Sequence, residues 1–104
     1  MLECRIIKSP SPGTLDILFR RKGSSVTKEI TQYDAIGLVQ GLLIDMLVAA
    51  DIAEKAAGVV VEDIKGNCPQ NLILIAIFGD TASVEAALAD IQRVINVRRV
   101  GEKR

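Results

Sequence analysis

Cys68 is the residue with the clearest potential for chemistry, and it lies in the segment KGNCPQN, residues 65–71. Gly66 permits positive φ angles at low steric cost, while Pro69 fixes its own φ and favours an extended backbone at Cys68. These neighbours predict a stiffened loop tip that presents a thiol just before the apolar run LILIAIF. Taken alone, one turn cysteine is more often an ordinary thiol than a metal ligand.

The other residue types limit what this thiol can do. Histidine is absent, which excludes Ser-His-Asp and Cys-His catalysis in their usual forms and any zinc site with an imidazole ligand. The two cysteines are Cys4 and Cys68, and a nucleophilic Cys68 would need an activator other than histidine. Iron–sulfur clusters commonly take four thiolates, but a symmetric ring can bring several copies of one loop cysteine together. Cys68 as a nucleophile and Cys68 as a ligand of a cluster shared between chains both stay open at this point.

The charged residues indicate solvated surfaces. Thirteen basic residues balance thirteen acidic ones, so we expect no nucleic-acid partner. The acidic side chains fall on predicted helix surfaces and do not converge on one cleft; they are Asp45, Asp51, Glu54, Glu85 and Asp90. Exposed helix faces are therefore favoured over a carboxylate pair for acid–base catalysis. The glycines of GLVQG lack the spacing of a dinucleotide-binding loop.

Length and composition predict one domain, residues 1–104, with 49% hydrophobic residues and only 3% aromatic ones. Its core must then consist of Ala, Val, Ile and Leu. The apolar runs near Leu42 and Leu72 are too short or too interrupted to span a bilayer. The opening MLECRIIKSPSPG carries charges where a secretory signal would be apolar. We expect a cytoplasmic protein with reduced thiols and no membrane partner.

Hydrophobic periodicity predicts the strands. A short strand is predicted at residues 2–8, and the alternation of Leu15, Ile17 and Phe19 predicts another at residues 14–21. The runs AIGLVQG, VVVEDIK and LILIAIF predict three further strands, and the cysteine loop joins the last two. The segment KGSSVTKEITQYD between the second and third strands is ambiguous, because its β-branched residues weaken a helical interpretation.

Two helices are predicted from apolar residues at helical spacing. The first helix ends at Gly58, and its predicted apolar stripe is Leu43, Met46, Leu47, Ala50, Ala53 and Ala57. The second begins at Asp80 or Thr81 as the cap, and its predicted stripe is Val84, Ala87, Leu88, Ile91, Val94 and Ile95. The order of elements predicts an α+β domain, an antiparallel sheet with the two main helices packed on one face.

Two long stretches, AIGLVQGLLIDMLVAADIAEKAAGVVVEDIKG and LILIAIFGDTASVEAALADI, together resemble the BMC domain, the shell-forming module of bacterial microcompartments. The markers are AIG opening a strand, AAD and EKAAGV closing the first helix, and GD with VEAAL opening the second. The preceding RIIKSPSPGTLDIL resembles the circularly permuted subgroup, in which C-terminal strands are moved to the N-terminus. The resemblance implies a BMC domain in permuted order, with residues 1–12 as an N-terminal extension near a pore.

Within that subgroup, GNCPQ resembles the loop of the GrpU-type shell proteins of glycyl-radical microcompartments, whose Gly-x-Cys-Pro-Gln motif is associated with an iron–sulfur cluster. Gly66, Cys68, Pro69 and Gln70 match this motif. The resemblance implies a flat homohexamer with this loop lining its central pore and Cys68 as the ligand of a 4Fe–4S cluster. Asn67 and Gln70 can donate hydrogen bonds to cluster sulfur or bond within the loop.

The resemblance further implies a shell subunit that is not an enzyme, with the cluster serving electron transfer or redox sensing across the shell. Its expected place is the microcompartment shell in the cytoplasm, and its expected partners are itself, other shell proteins and encapsulated redox enzymes. One alternative is a shell hexamer with an unmetallated pore for small molecules. Another, from a different class, is a thiol-based redox enzyme.

Three positions outside the loop also bear on this resemblance. Lys55 matches the lysine that shell hexamers place at their edges to contact neighbouring hexamers. The arginine often found just before Gly-Asp is Phe78 here, so tiling is either lost or uses different contacts. Cys4 has no motif around it and is predicted to be a buried or incidental thiol.

Overall fold

The computed structural model describes residues 2–21, 34–56, 58–66 and 72–102, with side chains described as far as Ile95. The ambiguous segment at 22–33 lies outside these ranges. In chain order the elements are strand β1 (Glu3–Lys8), helix α1 (Pro12–Arg21), strand β2 (Ala35–Leu42), helix α2 (Leu43–Lys55), strand β3 (Val59–Ile64), strand β4 (Leu72–Gly79) and helix α3 (Thr81–Glu102).

The described strands form one sheet in the order β1-β2-β4-β3, and every neighbouring pair is antiparallel. The central strands β2 and β4 are apolar on both faces, which explains why Ile36, Val39, Ile77 and Phe78 are all buried. β1 and β3 form the two edges of this described sheet. The predicted α+β class and antiparallel sheet are confirmed. The strands predicted at residues 2–8, 35–41, 59–65 and 72–78 are also confirmed, as β1, β2, β3 and β4.

Helices α2 and α3 pack side by side on one face of the sheet. Their buried residues form a single cluster with the sheet residues Ala35, Val39, Ile75 and Ile77. The predicted stripe of α3 is confirmed for the five positions Val84, Ala87, Leu88, Ile91 and Ile95, which are at most 8% exposed. The packing is close: a Cβ atom added at Gly37 on β2 would lie 3.0 Å from Val84 Cγ1. Small residues at this contact therefore allow the helices to pack closely on the sheet.

The predicted stripe of α2 is wrong in part. Met46 and Ala53 are buried as predicted, but Ala49 is the third fully buried position of the helix. Leu43 and Leu47 are 51% and 64% exposed, so they lie on the flank of the helix and not in the core. The reason is geometric: positions 46, 49 and 53 turn one narrow face of the helix to the sheet, and positions 43 and 47 lie beside that face.

The strand predicted at residues 14–21 is wrong, because this segment is helix α1. Ser11 caps the helix: its Oγ accepts a hydrogen bond from the Thr14 backbone N–H at 3.2 Å. Pro12 follows at the first helical position, where a missing N–H costs nothing and the fixed φ suits a helix. A serine followed by proline is thus the local signal that outweighs the apparent alternation.

Helix α1 packs on the face of the sheet opposite α2 and α3, so helices cover both faces. Leu18 is buried, and Leu15 and Phe19 pack around it against Ile36 and Phe78. The Phe19 and Phe78 rings lie 6.1 Å apart at an interplanar angle of 30°. These positions follow the i, i+3, i+4 spacing of a helical face, not the period of two read from the sequence.

The chain between α2 and β3 makes a tight reversal at Gly58. This residue has a φ of +83°, a conformation that glycine adopts without penalty. α2 ends at Lys55, shortly before this predicted stop. The positive φ that the sequence suggested for Gly66 is not found there; in the described backbone, Gly58 is the glycine that adopts it.

Candidate functional site

Residues 65–71, the cysteine loop, join β3 to β4 at one end of the sheet. The antiparallel register places Ile64 opposite Leu74 and Leu42 opposite Leu72, so this end also holds the junction of β2 with α2. The Lys65 backbone N–H donates to the Arg21 carbonyl at 2.6 Å, which ties the exit of β3 to the end of α1. Strands β3 and β4 and helix α1 therefore position the base of the loop.

Among the predicted site residues of this loop, Gly66 is described and exposed, and a Cβ atom added there would meet nothing within 4 Å. The space around it is compatible with close approach of another chain. Asn67, Cys68, Pro69 and Gln70 lie outside the described residues. Their predicted roles as ligand and as loop residues stay predictions.

Cys4 lies on β1 in a different environment, an open cavity of about 260 Å³ beside α3. Its thiol is free and half-buried. Burial raises the pKa of the Cys4 thiol, and the opposing effects of a hydrogen bond with Gln92 and the positive charge of Arg5 are smaller. The raised pKa favours the protonated thiol over the thiolate, and the absence of a ligand role for Cys4 stays a prediction.

The described acidic residues support no metal centre. Within the described ranges, no group of three or more His, Cys, Asp or Glu side chains could hold a metal ion. The acidic residues predicted to lie on helix surfaces are exposed, except Asp45, which is partly buried. Three of them form surface ion pairs: Asp51 with Lys55 at 2.8 Å, Glu85 with Lys8 at 3.3 Å, and Asp90 with Arg93 at 3.3 Å. Pairs of this exposure contribute little to stability.

A buried carboxylate that was not predicted from the sequence lies at Glu62 on β3. Its side chain is 5% exposed, and Oε2 has no hydrogen-bond partner. Glu62 lies opposite Ala76, which belongs to the core beneath α1. The period of two in VVVEDI could have revealed it, because position 62 falls in phase with Val60 and the buried Ile64.

Lys55 and Phe78, the two positions discussed for tiling, have opposite environments. Lys55 is the last residue of α2, at the end of the sheet away from the cysteine loop, and its side chain is 75% exposed. Phe78 is 1% exposed and packs against Phe19. Phe78 is therefore a core residue beneath α1 and is not available as a surface contact.

The helices of the described chain include none that is both long enough and apolar enough to cross a membrane.

Comparison with known proteins places this geometry in a family. The BMC domain matches residues 35–102, which run from β2 through α3. This chain belongs to the BMC domain family. It is similar to the GrpU microcompartment shell protein from Clostridiales bacterium 1_7_47FAA, with 57% sequence identity and a TM-score of 0.67 over 86% of this chain and 87% of that chain. It is also similar to the GrpU microcompartment shell protein from Pectobacterium wasabiae, with 37% identity and a TM-score of 0.72 over 86% of this chain and 99% of that chain.

Both of those structures are described as ligand-free. No curated protein sequence matches the chain. The BMC match begins at Ala35, so β1 and α1 precede the matched range while completing the sheet and covering its second face. The predicted membership of the BMC family is confirmed, and the chain is a microcompartment shell protein of this family. The permuted order and the position of residues 1–12 near a pore stay predictions.

Proposed function

We propose that this chain is a non-enzymatic shell subunit of a bacterial microcompartment, that it forms a homohexamer, and that Cys68 holds an iron–sulfur cluster at the central pore. The observation that carries the proposal is the BMC family membership together with the cysteine loop, which joins β3 to β4 at one end of the sheet. BMC shell proteins assemble into hexamers with other shell proteins, and a loop at the end of a sheet can reach the axis of such a ring.

The donor chemistry fits a cluster shared between chains. One copy offers a single loop thiol, because the segment KGNCPQN contains one cysteine and Cys4 lies on β1. Several copies of Cys68 around an axis supply the thiolates that a 4Fe–4S cluster takes, and a ring of six offers more than four. When bound, such a cluster supplies one-electron redox chemistry, which suits electron transfer or redox sensing across the shell.

The other residues of the loop have supporting roles in this proposal. Asn67 and Gln70 carry amide N–H groups that can donate to cluster sulfur and so shift its potential. Pro69 restricts the backbone beside the ligand, and the open space at Gly66 leaves room for neighbouring loops. Other shell proteins and encapsulated redox enzymes are the proposed partners, with Lys55 as a contact at the hexamer edge.

The deciding experiment compares Cys68→Ser with Cys4→Ser, both purified without oxygen. Serine is a far poorer ligand for iron than thiolate. We expect wild type and Cys4→Ser to contain iron and sulfide and to absorb visible light, whereas Cys68→Ser should contain no iron and remain hexameric. Retention of iron by Cys68→Ser would contradict the ligand assignment. A wild-type hexamer free of iron would instead favour an unmetallated pore for small molecules.

A further inference from the structure

Three basic residues lie together at the base of the cysteine loop. Arg20 and Arg21 are the basic residues in the last turn of α1. The Lys65 backbone N–H donates to the Arg21 carbonyl at 2.6 Å, which brings the exit of β3 against this turn. All three residues are exposed, and we call them the basic collar.

The basic collar is close to the proposed cluster ligand along the chain. Lys65 is three residues before Cys68, and three residues span at most about 11 Å. Even a small interface between redox proteins buries about 600 Å² on each partner, the area of a disc about 14 Å in radius. A protein that exchanges electrons with a cluster at Cys68 therefore has to contact the collar as well.

The described carboxylates do not neutralise the collar. Asp63 is exposed but lines the cavity on the α2 side of the sheet, and Glu62 beneath α1 is buried. Asp16 lies one helical turn before the collar, and Glu3 on β1 is paired with Arg5 at 3.4 Å. None of the ion pairs between described residues uses a side chain of the collar. The α1 side of this end of the sheet is therefore positively charged.

We propose that the basic collar docks an acidic one-electron carrier protein, of the ferredoxin kind, on the α1 side of the pore, a step that rests on the proposed function. In the docked complex one electron leaves the reduced iron–sulfur centre of the carrier and is accepted by the cluster at Cys68, and no atom or proton is transferred. Copies of the collar around one axis add their potentials, which attracts an acidic partner towards that axis and repels a basic one.

Two charge reversals test the collar on different elements. They are Arg21→Glu at the end of α1 and Lys65→Glu at the exit of β3, and the hydrogen bond between these residues involves backbone atoms alone. The matched control is Arg93→Glu on α3, which makes the same change in net charge on the opposite side of the sheet, where the side chain is 67% exposed. Circular dichroism and sedimentation velocity check that each variant keeps its secondary structure and the wild-type assembly.

The probe is a plant-type ferredoxin, an acidic carrier, and cytochrome c serves as the basic counterpart. Surface plasmon resonance at low ionic strength should show that wild type binds ferredoxin more tightly than cytochrome c. Arg93→Glu should bind ferredoxin as wild type does, whereas each collar variant should bind it roughly tenfold more weakly. Added salt should remove this difference, because salt screens exposed charges. Tighter binding of cytochrome c by wild type, or equal ferredoxin affinity in wild type and both collar variants, would overturn the proposal.

Cys68→Ser separates the docking surface from the cluster. Its collar is intact, so it should bind ferredoxin at least as tightly as wild type, but in stopped-flow measurements it should not oxidise reduced ferredoxin. A wild type that binds ferredoxin through the collar but contains no iron would contradict the proposed cluster and support the docking surface alone. An iron-containing wild type whose ferredoxin affinity is unchanged by both collar reversals would contradict the docking surface and leave the proposed cluster standing.

Discussion

Gly79, the last residue of β4, shows how a single missing side chain determines a close approach. A Cβ atom placed there would lie 2.6 Å from the Gly58 carbonyl oxygen, closer than such atoms approach in real structures. The obstacle is backbone and not a flexible side chain, so it cannot move aside without disturbing the reversal before β3. The glycine at this position is therefore a requirement of packing, and it can be tested by one substitution.

We expect Gly79→Ala to lower the free energy of unfolding by about 1–3 kcal/mol, the usual cost of overpacking. Gly13→Ala is the matched control, because a Cβ there would meet nothing within 4 Å and alanine is the better helix former. Urea denaturation of both variants measures the effect. Equal stability of Gly79→Ala and wild type would mean that the reversal at Gly58 shifts without cost.

At the scale of elements, helix α3 begins with a cap whose strength depends on pH. Asp80 Oδ2 accepts a hydrogen bond from the Ser83 backbone N–H at 3.3 Å. The hydrogen bonds with the Ser83 side chain and then with its backbone lower the pKa of Asp80 from its ordinary value of 3.8. A lowered pKa in the folded state means that the charged form stabilises the fold.

The stabilisation by Asp80 is present above pH 3.8 and is lost as the pH falls through the lower pKa of the folded state. We therefore expect Asp80→Ala to melt at a lower temperature than wild type at pH 7, and the difference to shrink in the acidic range. Asp80→Asn, which keeps an oxygen acceptor but does not titrate, should lie between them at pH 7. Thermal unfolding followed by circular dichroism tests this, and a difference independent of pH would contradict it.

The elements also show what the sequence can and cannot determine. α3 was predictable because its cap and its apolar spacing agree with each other and with the packing. α1 was not, because the alternation of Leu15, Ile17 and Phe19 also fits a strand, and the cap at Ser11 is the feature that distinguishes the two. The exposed Leu43 and Leu47 of α2 were wrongly predicted to be core, because apolar spacing shows which residues share a helix face but not how much of that face the sheet covers.

At the scale of the whole molecule, the proposed site differs from an ordinary metal centre because no single chain contains it. The cysteine loop offers one thiol per copy, and the described acidic and sulfur ligands do not cluster elsewhere. For this reason the resemblance in the sequence could suggest Cys68 as a ligand, whereas the proposed site would form only when several copies assemble. The buried Glu62, by contrast, is a property of one chain that the period of its strand already indicated.

Sharing of the site between chains predicts its stoichiometry. Six copies of Cys68 around one axis leave room for one cluster, which takes about four thiolates and leaves the remaining cysteines without iron. A 4Fe–4S cluster per hexamer corresponds to roughly 0.7 iron atoms per chain, whereas a cluster held within each chain would give about four. Iron and sulfide analysis against protein concentration by amino-acid analysis, with native mass spectrometry of the intact ring, distinguishes the two. Cys4→Ser should give the same ratio as wild type, since its thiol takes no part, and a value near four per chain in either protein would rule out a shared site on the axis.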